Sequence, residues 1–472
     1  MDIVFVLEAL VVLGCIVMGT RSSGVGVGVW GGVGVAVLVF IFREPPGEPP
    51  AGAIAIILAV VTAAAMMQAA GGIDWMVQVA AKIIEAHPRQ ITLIAPITAF
   101  AFTIGAGTSN ILYPLLPVIY DVSYRNGIRP SRPLSVSVVQ SGVALAASPV
   151  SAAMAAMLTL TDTAPYNFGL TQILAVTIPA CLAGIVVTAL VVNRMGKELA
   201  EDPEVQERVA AGLIPAPGGV RTITKQPSVT GGGGTADADL DDDPVPASAA
   251  LTATKQGRNA AIAFLVGVLL IVMFGLFPAL RPHFPVEGGG SEPIDMTSTI
   301  VMVMFVAAVA IIFVGRPQVK TVPEMSVFKA GMMSAIALFG IAWMTSTFIE
   351  AHEEFIVDTV GGWVNDYRFI FALAVFIVAA LTTSQSTATR TIVPIGLAAG
   401  LSPGLLAGMW AGGIGGVYAL PTGGPQIAAA NFDLSGTTKL GTKLFDHSYF
   451  VPMLVLSFTT VVVGAAIGAI FF

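Results

Sequence analysis

One interrupted apolar stretch, Ile91–Asp121, constrains the fold more than any other part of the chain. Fourteen apolar-rich residues, Ile91–Ile104, run into the break Gly105–Asn110, and eleven more, Ile111–Asp121, follow. At a helical rise of about 1.5 Å per residue the arms reach about 21 Å and 17 Å, short of a hydrocarbon core of about 30 Å. Two readings fit. One is a re-entrant hairpin whose arms enter and leave on one side; the other is a single spanning helix kinked at its glycines. In the hairpin, Thr108, Ser109 and Asn110 sit at membrane depth, where non-helical backbone survives only against a cavity or inside protein.

The rest of the chain is of the same apolar kind. Its 472 residues are 55% hydrophobic and 11% charged, with mean hydropathy +0.84, which excludes an ordinary soluble globule. Ile3–Thr20, Gly24–Phe42 and Ala53–Ala70 read as spans, and the glycines of the second suggest close helix contact. Ile73–Ala86 separates an apolar face from Asp74, Gln78, Lys82 and Glu85, as in a helix lying flat at the interface with Trp75 as anchor. After the Ile91–Asp121 stretch come Leu134–Leu160, interrupted at Ser148-Pro149, and Thr171–Asn193. Arg194–Arg258 is polar and reads as a mostly disordered linker with one helix near Glu204–Ala211. The second half repeats the plan. Asn259–Phe277, Met296–Val314 and Val327–Phe348 are spans, and Glu350–Asn365 is amphipathic. Phe369–Thr383 and Arg390–Gly400 flank the break 384–389, Pro403–Leu420 ends at the break 421–425, and Tyr449–Phe471 closes the chain.

Charge decides between hairpin and kinked span. With both interrupted stretches re-entrant and both termini outside, the inside loops carry thirteen Lys and Arg, among them Arg125, Arg129, Arg132, Arg194, Lys197 and Lys439. The outside loops carry Arg43, Arg281 and Arg368 only, the asymmetry that the positive-inside rule expects. Converting the first hairpin to a crossing moves Arg125, Arg129 and Arg132 outside and destroys the fit. The predicted fold is therefore an all-α polytopic membrane protein of two inverted repeats, each with five transmembrane helices, one of them broken, and one re-entrant hairpin. This is the plan of many secondary transporters, in which interrupted helices meet at the midplane.

The breaks pool Thr108, Ser109, Asn110, Ser148, Ser151, Ser384, Gln385, Ser386, Thr387, Thr389, Thr422 and Gln426, hydroxyls and amides suited to carboxylates. Half-helix N-termini add N–H donors for an anion. Free carbonyls at opposite ends can hold Na⁺, and Gly107, Asn110, Ser386 and Thr422 are the candidate positions. Arg390 is the basic residue placed within a hairpin; it either binds a substrate carboxylate in bidentate fashion or pairs within the protein. Glu8 lies in the first span, near its outer end or as a proton carrier. Cys15 and Cys181 read as separate buried thiols, and no nucleotide-binding or hydrolase motif is present, so the chain reads as a non-enzyme without cofactor.

Motifs through most of the chain resemble a known family, the anaerobic C4-dicarboxylate transporters (Dcu family) of the ion-transporter superfamily. They include Arg21–Gly34, Met67–Asp74, the tip Gly105–Asn110, Arg132-Pro133-Leu134-Ser135, Ala146–Ala153, Ser384-Gln385, Leu420-Pro421-Thr422 and Gly436-Thr437-Thr438-Lys439. The linker is longer and more acidic than the family pattern. The tip reads Gly-Thr-Ser-Asn where Gly-Thr-Gly-Asn is familiar, and Arg390 stands where a Lys is also familiar. The resemblance implies uptake or exchange of fumarate, malate, succinate or aspartate, by symport or antiport coupled to Na⁺ or H⁺, across a bacterial inner membrane. It also implies a homodimer with alternating access of the elevator type. Residues 1–90 and 259–367 would then form a scaffold, 91–193 and 368–472 the moving transport part, and 194–258 a cytoplasmic linker. Small dicarboxylates and the bilayer are the expected partners, nucleic acid is not. The rival readings are a carrier of another organic anion on this fold and a dicarboxylate sensor that controls a partner kinase.

Overall fold

The computed structural model describes residues 3–22, 25–162, 165–217, 254–285, 291–352, 368–421, 423–441 and 446–472. The chain is helical, as its composition demands, with one short antiparallel ribbon of β1 (His283–Pro285) and β2 (Ser291–Pro293). Backbone polar groups in lipid must be satisfied within the protein, and helices do so within each segment. Among the described residues, eight helical segments are long and apolar enough to cross a membrane.

The first half runs α1 (Ile3–Ser22), α2 (Gly26–Val37), α3 (Ala51–Ala69), α4 (Gly72–Ala86), α5 (Ile91–Ala106), α6 (Leu116–Arg125), α7 (Ser131–Val143), α8 (Ala152–Thr161) and α9 (Leu170–Val192). A short helix, α10 (Pro203–Ala210), precedes the second half. That half consists of α11 (Lys255–Leu276), α12 (Met296–Gly315), α13 (Ser326–Ala351), α14 (Ile370–Thr382), α15 (Gln385–Ala398), α16 (Pro403–Gly413), α17 (Gly424–Phe432) and α18 (Phe450–Phe471). Most of the predicted amphipathic stretch Glu350–Asn365 lies outside the described residues, and α13 extends to Ala351. The predicted helix over Ile73–Ala86 is present as α4, with Met76, Val77, Ala80 and Ile84 buried and Trp75 half-buried against the core.

Both interrupted stretches double back. The α5 arm packs against the returning α6, and α14 packs along α15. The first arm is longer than its sequence suggested: with the 3₁₀ turn Pro88–Gln90 it forms a 19-residue helical segment, so length alone does not bar it from crossing a membrane. The reason is that Gly105 and Ala106 continue the helix and only Gly107, at φ +69°, ends it.

The linker is shorter than predicted at both ends. Lys255–Arg258 begin α11, and residues 194–217 are folded onto the helical body. Leu199, Val205 and Ile214 are buried there. Arg129 bonds Asp202 at 2.5 Å and Arg132 bonds Glu198 at 2.8 Å. Lys439, from the far end of the chain, bonds Glu204 at 2.5 Å. Burial works against the Asp202 carboxylate, but the hydrogen bond and charge of Arg129 outweigh it and hold the group below its ordinary pKa.

Glycine sets the closest helix contacts, the packing device of helices in lipid. Gly408 of α16 faces Gly464 of α18, where an added Cβ would lie 2.1 Å from the Gly464 carbonyl. Gly408→Val should therefore separate these helices and destabilise the protein by about 1–3 kcal/mol, read as a lower melting temperature in detergent. Gly32→Ala, at a position with nothing within 4 Å, should show no such loss.

Candidate functional site

The two hairpin tips meet. A cavity of about 270 Å³ is lined by Thr108, Ser109 and Asn110 from the first tip and by Ser384, Gln385 and Ser386 from the second. Ser151, at the start of α8, adds a polar edge, while Ile56, Ile57 and Val60 of α3 and Val327 and Ala330 of α13 supply an apolar wall. A second cavity of about 280 Å³ adjoins it through Ser109, Thr383 and Gln385 and reaches Tyr113, Tyr418 and Gly423. Among the described residues no charged side chain lines either one.

Local rules build each tip. At the first, Gly107 takes the left-handed conformation that ends α5, and a Cβ there would lie 2.7 Å from the Val150 carbonyl. Thr108 then caps a 3₁₀ turn, Ser109–Leu115, by accepting from the Asn110 N–H at 3.2 Å. At the second tip the break is narrower than predicted. Thr383 alone turns left-handed, at φ +50°, Ser384 caps the next helix, and α15 resumes at Gln385. Thr387, Thr389 and Arg390 are therefore helical residues behind the tip.

The predicted polar residues divide by what already occupies them. Ser148 donates to the Ile104 carbonyl at 2.7 Å, closing a free carbonyl of α5. Ser151 donates to the Leu145 carbonyl at 2.6 Å and accepts from the Met154 N–H at 3.0 Å. Thr387 donates to Ser384 at 2.9 Å, and Thr389 donates to the Gln385 carbonyl while accepting from the Trp410 indole, both at 2.7 Å. Gln426 braces the last break, accepting from the Gly423 N–H at 3.0 Å and donating to the Tyr418 carbonyl at 3.1 Å. These groups seal the backbone, and only Ser151 among them also lines the cavity. Ser109, Asn110, Gln385 and Ser386 line it with no partner for their side chains among the described residues. Thr422 lies outside the described residues.

Arg390 is 3% exposed and does not line either cavity. It follows Ser386 by one helical turn, and its Nε and Nη2 have no partner among the described residues. A buried cation one turn behind the second tip is costly unless a partner compensates it. Of the Na⁺ candidates, Gly107, Asn110 and Ser386 share the first cavity, and no cluster of three His, Cys, Asp or Glu exists among the described residues. Glu8 is fully buried and bonds the imidazole of His352 at the end of α13. Cys15 and Cys181 are buried and free, as their sequence setting suggested.

Sequence reasoning missed Tyr113 and Tyr418. Tyr113 carried a usable signal: in a 3₁₀ turn residues three apart share a face, which aligns it with Asn110.

Helical breaks from two halves of one chain, meeting at a polar cavity among apolar spans, define a membrane transporter. The whole chain supports the assignment: residues 4–472 match the family model described as anaerobic C4-dicarboxylate membrane transporter. The chain is 32% identical over 454 residues to the Escherichia coli O6:H1 anaerobic C4-dicarboxylate transporter DcuB, covering 96% of this chain and 95% of that protein. It is 31% identical over 466 residues to the Wolinella succinogenes C4-dicarboxylate transporter DcuA, covering 98% and 99%. A solved structure, the Alcanivorax borkumensis YdaH transporter, aligns at TM-score 0.48 and 15% identity over 88% of this chain and 84% of that one. The chain belongs to the anaerobic C4-dicarboxylate membrane transporter family; it is a transporter, not an enzyme, and needs no cofactor.

If Ser148 and Thr389 seal backbone and indole groups, Ser148→Ala and Thr389→Ala should each lower stability by about 1–2 kcal/mol in thermal melts. Both should leave the half-saturating substrate concentration within about twofold of wild type.

Proposed function

We propose that this chain is a secondary transporter of C4-dicarboxylates such as fumarate, malate, succinate and aspartate, working by alternating access across a bacterial inner membrane. The observation that carries the reading is the meeting of the two hairpin tips, which pools unoccupied hydroxyl and amide donors in one cavity. Carboxylates take such donors well in a site screened from water. The names of the relatives supply the substrate class.

In this reading the two halves are inverted repeats with both termini outside. Residues 1–90 and 259–367 form a scaffold, and 91–193 and 368–472 form the moving part, in an elevator-type homodimer. The cavity favours such a division: α3 and α13 line it with apolar side chains and one hydroxyl, Ser334, while the tips supply most of its polar groups. Sliding a polar face along a mostly apolar one breaks few hydrogen bonds. Na⁺ held near Gly107, Asn110 and Ser386, or a proton, supplies the coupling. Arg390 contributes positive charge from one turn behind Ser386, which lowers the cost of bringing a dianion to this depth.

Counterflow of labelled succinate in proteoliposomes, with and without Na⁺ and a pH gradient, tests the reading. Asn110→Ala and Ser386→Ala should each weaken uptake about 10- to 150-fold in affinity, the cost of one hydrogen bond to a charged group. Arg390→Gln should hurt dicarboxylates more than monocarboxylates, and Arg390→Lys should recover part of the loss. Wild-type uptake by both tip variants would remove the tips from the site. Orientation has its own test. Cysteine at Asn126, which is exposed, should react only with cytoplasmic reagent, and cysteine at exposed Ser402 only with external reagent.

A further inference from the structure

Beyond the tips, the second cavity has chemistry of its own. It is lined by two phenols, Tyr113 and Tyr418, and shares Ser109, Thr383 and Gln385 with the first. The phenols differ in what they can offer. The Ser141 hydroxyl donates its one proton to the Val138 carbonyl at 2.7 Å, so at its 2.8 Å contact with Tyr418 it accepts. The Tyr418 proton is thereby occupied, and this phenol can only accept from the cavity. Tyr113 has no hydrogen-bond partner among the described residues, so its hydroxyl remains a donor. A Cβ added at Gly424 would lie 2.3 Å from that hydroxyl, so glycine leaves the phenol its place.

We propose that the two cavities are lobes of one site for a short dicarboxylate, with one carboxylate at Asn110 and Ser386 and the other hydrogen-bonded by Tyr113. The inference rests on the transport reading above and adds the residue that separates diacids from monoacids. Gln385 and Ser109 stand at the shared wall, where either carboxylate can reach their donors. A monocarboxylate fills one lobe and leaves the Tyr113 hydroxyl without an anion. A neutral phenol suits this position: it donates one directed hydrogen bond and, unlike Lys or Arg, adds no second charge at a depth where Arg390 already stands.

The test is inhibition of succinate counterflow in proteoliposomes of the full chain, comparing unlabelled succinate with its monoamide, succinamate. Tyr113→Phe should weaken succinate about tenfold or more and succinamate, whose amide oxygen is a neutral and weaker acceptor, severalfold less. Gly424→Ala, which displaces the phenol, should reproduce the selective loss. The Tyr113→Phe/Gly424→Ala double variant should be no worse than either single one, because both remove the same contact. Melting temperatures near wild type should accompany the loss. Equal losses for both inhibitors, no loss for succinate, or additive losses in the double variant would overturn the proposal. Wild-type protein that accumulates no dicarboxylate would instead overturn the transport reading beneath it.

Discussion

Every helix break in this protein answers to one constraint: backbone N–H and C=O groups far from water must find partners inside the protein. The four breaks meet it with side chains from the same break or from another break packed against it. Ser148 closes the Ile104 carbonyl, Ser384 takes the Thr387 N–H, Ser151 takes the Met154 N–H, and Gln426 ties Gly423 to Tyr418. What remains after this sealing is the set of side chains left open to a ligand. Ser109, Asn110, Gln385, Ser386 and Tyr113 line the cavities, and no protein group takes their side chains among the described residues. A polar residue near a helix break thus has two possible fates, and burial together with its hydrogen bonds tells them apart.

The same division explains the location of charge. Among the described residues the cavity walls are neutral, while three ion pairs fasten residues 194–217 to Arg129, Arg132 and Lys439. Asp433 organises the adjoining turn, accepting from the Ser435 and Thr438 N–H groups at 3.0 and 2.7 Å and from Thr437 at 2.7 Å. The Ser131 N–H donates to Thr437 at 3.2 Å, so loops 306 positions apart are joined directly. This accounts for Gly436-Thr437-Thr438-Lys439, a motif with no evident part in the cavity. Arg390 is the exception to the pattern, a buried cation whose Nε and Nη2 have no partner among the described residues, and that cost is the ground on which a functional role is proposed for it.

Much of this was legible in the sequence. The spans were readable because lipid demands long apolar runs, and the hairpin tips because Gly107, Thr108 and Ser384 cannot continue a helix cheaply. The meeting of the first tip, Ala106–Asn110, with Ser384–Ser386 in one cavity followed from the repeated order of elements. Three features were not legible. Ser148 and Asn110 are alike as polar residues at a break, and only the tertiary contact of Ser148 with Ile104 separates them. The width of the second break depended on one residue, Thr383, adopting a left-handed conformation that β-branched side chains rarely take. The folding of residues 194–217 depended on partners as distant as Lys439, which composition cannot reveal.

On the proposed function, one dicarboxylate occupies the cavity that both halves build. Ala152 and Ala330 line it from opposite halves without donating to it, and the native Cys15 and Cys181 are buried. Single cysteines at these alanines, alkylated by a small thiol reagent in membranes, measure occupancy from both sides. Succinate should slow both reactions with the same half-protecting concentration, while acetate should protect neither. Protection of one position only, or of both at unrelated concentrations, would contradict a single shared site.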